Sequence, residues 1–442
     1  MQEVRDKRVT VAGLGRFGGG IEVTRWLVAQ GARVLVTDKD TPENLAESLK
    51  KLEGLPIELR LGEHRVEDFT NCDLVVASPA IPPTNEYLAA ARRAGVPVTT
   101  EIRLFIERCP GTIIGVTGTK GKSTTAKLTE LMLSRRYKTW LGGNFGGSLL
   151  PRLPEMCKTD LVVLELSSYM LEHLRPMQWS PHVAIVTMIT QDHVSWHGSF
   201  EAYLDAKKNI VRFQRPDDVA VLSEENELSA SFARETKARI VQYGLRGRKL
   251  FTLTIPGRHN QLNAQAAYAA ADVFGVSWDE AQLAVRDFPG LPHRLQLVHQ
   301  TPDGVRFVND SIATIPEAAV AALESFPPKR VIQIVGGYDK GLPLGAMCAA
   351  LTRHAKAVLC IGATGPAIAQ TMAQADIPNA AAVYQCGDLP TAMKLARQIA
   401  APGDVVLLSP GCASYDQFPN FEARGQAFTS LARQLDTAPN IR

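Results

Sequence analysis

Short apolar runs recur along the chain, and each leads through a polar or glycine-containing segment into a longer amphipathic stretch. Runs of this length that are rich in valine, isoleucine and leucine are typical of strands buried on both faces. Their alternation with helical stretches predicts mostly parallel sheets, that is, an α/β fold. The runs are RVTVA (8–12), RVLVT (33–37), DLVVA (73–77), TIIGV (112–116), LVVLEL (161–166), VAIVT (183–187), RVIQIV (330–335), AVLCI (357–361) and DVVLL (404–408).

Two proline- and glycine-containing linkers divide this pattern. One is Cys109-Pro110-Gly111, and the other is FPGLPHR at 288–294. A chain of 442 residues is too long for one ordinary core. We therefore predict three domains: an N-terminal Rossmann-like domain (1–109), a central P-loop ATPase-like domain (110–292) and a C-terminal Rossmann-like domain (293–442).

The central domain opens with GTIIGVTGTKGKSTT at 111–125. A strand, a glycine-rich loop and a helix start form the layout of a phosphate cradle, in which glycines let the backbone bend round an oxyanion. Lys122 supplies a mobile cation, and the hydroxyl of Ser123 or Thr124 suits Mg²⁺. Val116 stands where the generic pattern has its first glycine, so the loop is a shorter variant. The alternative is a basic turn that only caps a helix.

The N-terminal segment has a G-x-G-x-x-G turn, GLGRFG at 13–18, after its first strand. Asp38 ends the second strand, where dinucleotide-binding folds place an acidic residue that holds a ribose. The motif indicates a diphosphate-type ligand and does not by itself indicate redox chemistry. Ser78 follows the strand at 73–77, on the ligand side of such a sheet, although a turn serine before proline is an equal alternative.

Four further polar residues stand at or near the central sheet. Glu165 is embedded in an apolar strand, where an unpaired carboxylate is costly, so a metal beside a triphosphate or a salt bridge is expected as its partner. His193 follows the next strand. Lys207 and Lys208 lie on an amphipathic helix predicted at 200–213, and spacing does not decide which of them faces the site.

Polar residues also follow the predicted strands and begin a helix in the later part of the chain. Asn260 and Asn263 either read a purine edge or cap an alanine-rich helix, and the sequence favours capping. In the third domain, Lys340 and Ser414 follow two predicted strands and are available to bind a carboxylate. A site supplied by three domains suits a reaction with three substrates: ATP, a nucleotide-linked acceptor and a small acid.

The composition excludes several classes of protein. The formal charge of +3 argues against a dedicated nucleic-acid binder, and no apolar run approaches a membrane span. The seven cysteines are scattered without a C-x-x-C pair, which predicts neither zinc nor disulfides. Reduced thiols favour a cytoplasmic location, without nucleic acid or membrane insertion.

Together these motifs resemble the Mur ligases, in the same order over nearly the whole chain. The matching segments are TGTKGKST (117–124), GGNFG (142–146), LELSSYMLE (164–172), TQDHVSWHGSFEAYLDAK (190–207), HNQLNAQAA (259–267), GLPHR (290–294), NDSIAT (309–314), GGYDKG (336–341) and SPGCASYDQFPNFEARG (409–425). The resemblance is greatest to the member that adds D-glutamate to UDP-N-acetylmuramoyl-L-alanine with ATP.

The resemblance implies a role for each matching residue. ATP would contact Gly118, Thr119, Lys120, Gly121, Lys122, Ser123, Thr124, Asn260, Asn263, Arg294 and Asp310. Two Mg²⁺ ions would be held by Ser123, Glu165, His193 and a carbamylated Lys207. Catalysis would depend on Lys122, Lys207, His193 and Arg294. The UDP substrate would contact Leu14, Gly15, Arg16, Asp38, Ser78 and Asn144, and the amino acid would contact Lys340, Ser414 and Phe421. A monomer is expected.

Three positions depart from the family pattern: Ile312 replaces a lysine, Lys120 replaces an asparagine, and HVSW at 193–196 lacks a charged pair. Alternatives are another Mur-type or folylpolyglutamate-type ligase, including one that adds L-glutamate. Two further alternatives are an NAD-dependent oxidoreductase, which leaves the Lys122 loop unexplained, and a non-catalytic nucleotide switch, in which Glu165, His193 and Lys207 have no purpose.

Overall fold

The computed structural model describes residues 3–15, 19–374 and 378–434. These residues form mostly parallel sheets whose strands are joined by helices, which confirms the predicted α/β class. The chain divides into two compact units, Met1–Leu250 with Leu262–Ala284, and Phe251–Gln261 with Val285–Arg442. No described helix is both long and apolar enough to cross a bilayer.

The first sheet lies in the first unit and has the strand order β3-β2-β1-β4-β5, with all neighbours parallel. The order reverses between β1 and β4, and ligands of such sheets bind at that reversal. The strands are β1 (Arg8–Ala12), β2 (Arg33–Asp38), β3 (Ile57–Leu61), β4 (Leu74–Ala77) and β5 (Val98–Thr99). The helices are α1 (Gly19–Ala29), α2 (Ala46–Lys50), α3 (Val66–Thr70), α4 (Glu86–Arg93) and α5 (Glu101–Ile106).

The second sheet, also in the first unit, has the order β11-β10-β9-β6-β8-β7. Its strands are β6 (Thr112–Thr117), β7 (Thr139–Gly143), β8 (Leu161–Glu165), β9 (Val183–Val186), β10 (Val219–Ser223) and β11 (Arg239–Tyr243). Its helices are α6 (Lys122–Leu133), α7 (Ser168–Leu174), α8 (Val194–His197), α9 (Phe200–Arg212) and α10 (Glu227–Ala230), with 3-10 turns at Leu150–Glu155, Arg175–Met177 and Ser231–Arg234. Because β6, β8 and β9 are neighbours, the loops that follow them share one edge of the sheet.

Each of two helices, α11 (Arg258–Asp272) and α12 (Trp278–Val285), contains residues that are assigned to both units. The third sheet lies in the second unit, in the order β12-β13-β17-β14-β15-β16, and only β12 is antiparallel to its neighbour. Its strands are β12 (Gln296–Gln300), β13 (Arg306–Asn309), β14 (Val331–Val335), β15 (Ala357–Ile361), β16 (Ala382–Gly387) and β17 (Val405–Leu408). Its helices are α13 (Pro316–Leu323), α14 (Gly345–His354), α15 (Gly365–Ala373), α16 (Leu389–Ile399) and α17 (Phe421–Gln434).

Candidate active site

The predicted phosphate loop lies between β6 and α6, as the sequence pattern indicated. Its backbone is held by the neighbouring segment after β9, because the N–H of Thr119 donates to Met188 O at 2.7 Å. The side chain of Thr187 adds a second tie by donating to Lys120 O at 2.8 Å. The loop is therefore fixed at the edge where the central strands end, with the N-terminus of α6 facing any bound anion.

Two glycines of the loop are required by close contacts. At Gly118, which has a φ of 154°, a Cβ atom would lie 1.9 Å from Thr187 Oγ1. At Gly121, which has a φ of 89°, it would lie 2.4 Å from Asn263 Oδ1. Asn263 also accepts a hydrogen bond from Thr125 Oγ1 at 3.3 Å, so it packs against the helix that begins at this loop.

The side chain of Lys122 folds over its own loop, with Nζ 3.0 Å from Thr119 O. Its charge reaches both His193 and Lys207, since it contributes to lowering the pKa of each. Lys122, His193 and Lys207 are therefore close enough to interact electrostatically. The family resemblance assigns Lys122, His193 and Lys207 to one site.

Glu165 ends β8 and is 1% exposed. Its Oε1 accepts a hydrogen bond from Asn144 Nδ2 at 2.6 Å, whereas Oε2 has no hydrogen-bond partner among the described residues. A buried carboxylate oxygen left without a partner is costly and fits a cation. No described group of three His, Cys, Asp or Glu side chains is arranged to hold a metal. The predicted set differs in kind, because it includes a serine hydroxyl and a modified lysine.

His193 stands at the start of α8 with a left-handed backbone, at a φ of 50°. Its Nδ1 lies 2.8 Å from the hydroxyl oxygen of Tyr169. Burial lowers the pKa of His193 and the charges of Lys207 and Lys122 lower it further, against the opposing charge of Asp192. Nε2, the nitrogen that a metal would take once Nδ1 is held by a hydroxyl, lies 3.5 Å from Asp192 Oδ2.

Lys207 and Lys208 have opposite environments, which answers the question that the sequence left open. Lys207 is 2% exposed, and its Nζ donates to Gly118 O at 2.7 Å and to Thr117 Oγ1 at 3.3 Å. Burial, helped by the charge of Lys122, holds the pKa of Lys207 well below its ordinary value. Lys208 instead pairs with Glu235 at 2.8 Å. Lys207 is therefore the residue that faces the phosphate loop.

The UDP-site residues predicted in the first sheet lie at its strand reversal. The carboxylate of Asp38 accepts hydrogen bonds from the N–H of Gly15 at 3.0 Å and of Asp40 at 2.9 Å, so it holds the glycine turn in place. Leu14 is buried beside that turn, and Ser78 lies against Gly13, whose added Cβ would be 2.8 Å from Ser78 Cβ. Arg16 lies outside the described residues.

Asn144 and two aromatic residues tie this region together. The N–H of Asn144 donates to Glu165 O at 2.9 Å, in addition to its side-chain bond to Glu165. The indole of Trp196 donates to Ala80 O at 2.8 Å and packs against Tyr169, with ring centroids 4.4 Å apart and the rings tilted by 31°. Sequence reasoning missed Tyr169 and Trp196. Their position inside two quoted motifs, LELSSYMLE and TQDHVSWHG, was the available signal.

In the second unit, the predicted residues follow strands of the third sheet or begin a helix. Asp310 is 5% exposed, and its carboxylate accepts hydrogen bonds from Leu295 N–H at 3.0 Å and Ser409 Oγ at 2.7 Å. Burial raises the pKa of Asp310 to about 7, against the opposing effect of these bonds and of Arg294. Lys340 lies in the loop after β14, Ser414 in the loop after β17, and Phe421 begins α17. Asn260, in the first turn of α11, donates to Pro256 O at 2.6 Å.

Three family profiles match the chain. They are the "Mur ligase MurD-like, N-terminal domain" over residues 7–100, the "Mur ligase middle domain" over 116–252 and the "Mur ligase, glutamate ligase domain" over 293–412. The solved structure of the UDP-N-acetylmuramate–alanine ligase MurC from Thermotoga maritima has a TM-score of 0.62 at 22% identity and covers 98% of this chain and 100% of that one. This likeness supports the fold.

Curated relatives are considerably more similar. A UDP-N-acetylmuramoylalanine–D-glutamate ligase from Roseiflexus sp. (strain RS-1) is 41% identical, with 98% of this chain and 100% of that protein covered. An enzyme of the same name from Anaeromyxobacter dehalogenans (strain 2CP-C) is 37% identical, with 98% of each covered. The chain therefore belongs to the Mur ligase family of ATP- and Mg²⁺-dependent ligases, which form amide bonds in peptidoglycan synthesis.

Proposed function

We propose that this enzyme adds D-glutamate to UDP-N-acetylmuramoyl-L-alanine, with ATP converted to ADP and phosphate. The observation that carries the proposal is the edge of the second sheet, where the Lys122 loop, the half-partnered carboxylate of Glu165 and the buried amine of Lys207 occur together. The full-length similarity to relatives named for this reaction supports the choice of acceptor and amino acid.

The domain boundaries follow the linkers: 1–109 for the UDP-linked acceptor, 110–292 for ATP and 293–442 for the amino acid. Lys122 neutralises the outer phosphates, and the other loop residues hold them. Asn260, Asn263, Arg294 and Asp310 contact ATP. Leu14, Gly15, Arg16, Asp38, Ser78 and Asn144 bind the acceptor, and Lys340, Ser414 and Phe421 position glutamate.

Glu165 and Ser123 supply oxygen donors of the kind that Mg²⁺ prefers, and His193 would add a nitrogen ligand to the two Mg²⁺ sites. When bound, Mg²⁺ would offset the negative charge that gathers on the phosphates during transfer. Lys207 completes the donor set as a carbamate, formed when its amine attacks CO₂ and loses a proton. A neutral amine is the nucleophile in that step, and the lowered pKa of Lys207 favours the neutral form.

The reaction begins when the alanyl carboxylate of the acceptor attacks the γ-phosphorus of ATP, forming an acyl phosphate and ADP. The amine of D-glutamate then attacks the acyl carbon, and phosphate leaves from the tetrahedral intermediate. Phosphoryl transfer requires positioning and charge neutralisation more than covalent assistance from the protein. Lys122 at the phosphates and Arg294 supply that positive charge. We place the reaction in the cytoplasm and expect a monomer; the free thiols of all seven cysteines agree with a reducing compartment.

The test is glutamate-dependent ADP release by Lys122→Ala, with UDP-N-acetylmuramoyl-L-alanine as acceptor. We expect a loss of at least about 100-fold, because the cation at the outer phosphates is removed. Lys127→Ala is the control, since Lys127 lies on the same helix and pairs with Glu130 at 2.7 Å. Parallel assays with L-glutamate, L-alanine and diamino acids separate the proposed reaction from those of related ligases. Near-full activity of Lys122→Ala would exclude the mechanism.

A further inference from the structure

Arg424 is a buried cation without an acidic partner. It lies in the first turn of α17, is 1% exposed, and forms no ion pair with any described residue. Burial lowers the pKa of Arg424 to about 10, although Cys412 and Asp416 oppose this effect. At neutral pH the guanidinium therefore stays charged. A buried charge without a partner is costly, and its retention calls for a reason.

The guanidinium is held by backbone and hydroxyl oxygens from two loops. Its Nε donates to Ser311 Oγ at 3.0 Å, and its Nη2 donates to Ser311 O at 2.9 Å. Its Nη1 donates to Cys412 O at 3.1 Å and to Ala413 O at 3.2 Å. The planar fork thus fixes the loop after β13 to the loop after β17, with several donors from one rigid group.

A third loop joins the same arrangement. Ala413 O also accepts the N–H of Tyr338 at 2.9 Å, in the loop after β14, and Ser311 Oγ donates to Phe421 O at 2.8 Å. Gly337 lies so close that an added Cβ would be 3.2 Å from Arg424 Nη1 and 2.2 Å from Ala413 O. We call the segments 309–314, 336–341 and 409–414 the acid loops. They contain Lys340 and Ser414, and Phe421 starts the helix that carries Arg424.

We propose that Arg424 is a positioning residue for the amino-acid substrate: it fixes the three acid loops and gives them a positive potential that favours a dicarboxylic amino acid. The inference rests on the proposed function, because it takes Lys340 and Ser414, which lie in two of the acid loops, as the residues that position glutamate. Arg424 does not touch the substrate. It acts through Ser311, Ala413 and the residues that these hold, and in a poorly screened interior its charge reaches further than a surface charge.

The test compares three variants by their KM for D-glutamate, ATP and the acceptor. For Arg424→Met we expect the KM for D-glutamate to rise about 100-fold and the KM for the acceptor to change less than about twofold. The KM for ATP should rise much less than that for D-glutamate, because only Asp310 in one of the three loops is assigned to ATP. Arg424→Lys keeps the charge but lacks the fork, so it should rescue part of the loss and show a rise of about tenfold. Ser311→Ala, which removes one acceptor of the fork, should raise the same KM by a few-fold.

A matched control and a second measurement distinguish a general loss of stability from a specific loss of loop positioning. Phe428→Leu perturbs the same helix at a fully buried position, so it should lower the unfolding temperature and leave the KM for D-glutamate unchanged. Hydrogen exchange at the Tyr338 amide should accelerate in Arg424→Lys and not in Phe428→Leu. The inference fails if the glutamate KM of Arg424→Lys and Ser311→Ala matches that of the unaltered enzyme, or if all three KM values rise together.

Failure of the proposed function has a different signature. In that case neither the unaltered enzyme nor any of the variants would release ADP in response to D-glutamate. The exchange rate at Tyr338 would still report whether Arg424 holds the acid loops. Unaltered exchange in Arg424→Lys would overturn the positioning role on its own.

Discussion

The amine of Lys207 lies 2.7 Å from the carbonyl oxygen of Gly118, so helix α9 touches the phosphate loop through a fully buried lysine. Lys208, the next residue, forms an ion pair with Glu235 instead. Two adjacent lysines of one helix thus offer a site residue and its natural control.

Lys207→Ala should reduce ligase activity at least about 100-fold, whereas Lys208→Ala should change it less than about twofold, because only Lys207 reaches the loop. The activity of the unaltered enzyme should fall in CO₂-depleted buffer and return with added bicarbonate. Carbon-13 NMR with labelled bicarbonate should show a carbamate signal that Lys207→Ala lacks. Full activity in Lys207→Ala, or indifference to CO₂, would contradict the carbamate.

Gly118→Ala should weaken ATP binding at least about tenfold and destabilise the first unit by about 1–3 kcal/mol. The reason is steric, since the new Cβ would lie 1.9 Å from Thr187 Oγ1. Calorimetric titration with ATP and thermal unfolding measure the two effects. Gly345→Ala is the control, because a Cβ at that helix start meets no atom within 4 Å. Equal ATP affinity and equal thermal stability of the two variants would show that the structure around Gly118 adjusts to the added Cβ without cost.

Tyr169→Phe should raise the Mg²⁺ concentration needed for half-maximal activity about tenfold, because the hydroxyl that orients His193 is lost. The KM for ATP at saturating Mg²⁺ should stay unchanged. Tyr137→Phe removes a hydroxyl with a hydrogen bond of similar length, 2.9 Å to Phe274 O, at a distance from the site, and should have no such effect. An unchanged Mg²⁺ dependence in Tyr169→Phe would remove its assigned role.

Asp404→Asn should lower the free energy of unfolding by about 3 kcal/mol at neutral pH, because it leaves Lys356 without its buried partner. Asp404 is 1% exposed on its side chain and also lies 3.4 Å from Arg330. Asp303→Asn is the control: its pair with Arg397 is exposed, so the loss should stay below about 1 kcal/mol. Chemical denaturation of the two variants measures the difference.

The same carboxylate predicts a pH dependence. Burial alone would raise the pKa of Asp404, but hydrogen bonds from Lys356 and the Ala401 N–H outweigh it, so the pKa lies below its ordinary value. The stabilisation is therefore present above the unfolded pKa of about 4 and disappears as the pH falls through the lower folded value. Asp404→Asn should flatten that part of the acid-unfolding curve. A parallel curve for the variant would show that Asp404 does not contribute.

Nine of the strands were predictable because each is a short apolar run, which is a local signal; the more polar strands at the sheet edges, such as β3 and β16, carry no such run. The runs at 112–116 and 161–166 match β6 and β8 to within one residue at each end. The helix after the loop begins at Lys122, because Gly121 takes the left-handed cap that ends the loop. The order of strands within each sheet was not predictable in this way, since pairing between distant segments leaves no local pattern.

The side-chain partnerships of the site were missed for the same reason. Asn144 reaches Glu165 because β7 and β8 are neighbours. Tyr169 reaches His193 because α7 begins at the edge of the sheet where the loop after β9 lies. Arg424 is the clearest case, since its partner Ser311 is 113 positions away. A lone arginine in an amphipathic helix predicts a solvated face, and only the fold brings it into the interior.

Neither compact unit is made from one uninterrupted piece of chain, since residues 251–261 belong with 285–442 and residues 262–284 return to the first unit. During synthesis the first unit cannot complete its core until Ala284 has left the ribosome. Residues 251–261 are synthesised earlier, but they belong to the second unit and can pack only after residues 285–442 have been made. A single cut near either linker would give fragments that contain part of the other unit or lack part of their own unit. Separate expression of the two units therefore requires that each be assembled from its two segments of the chain.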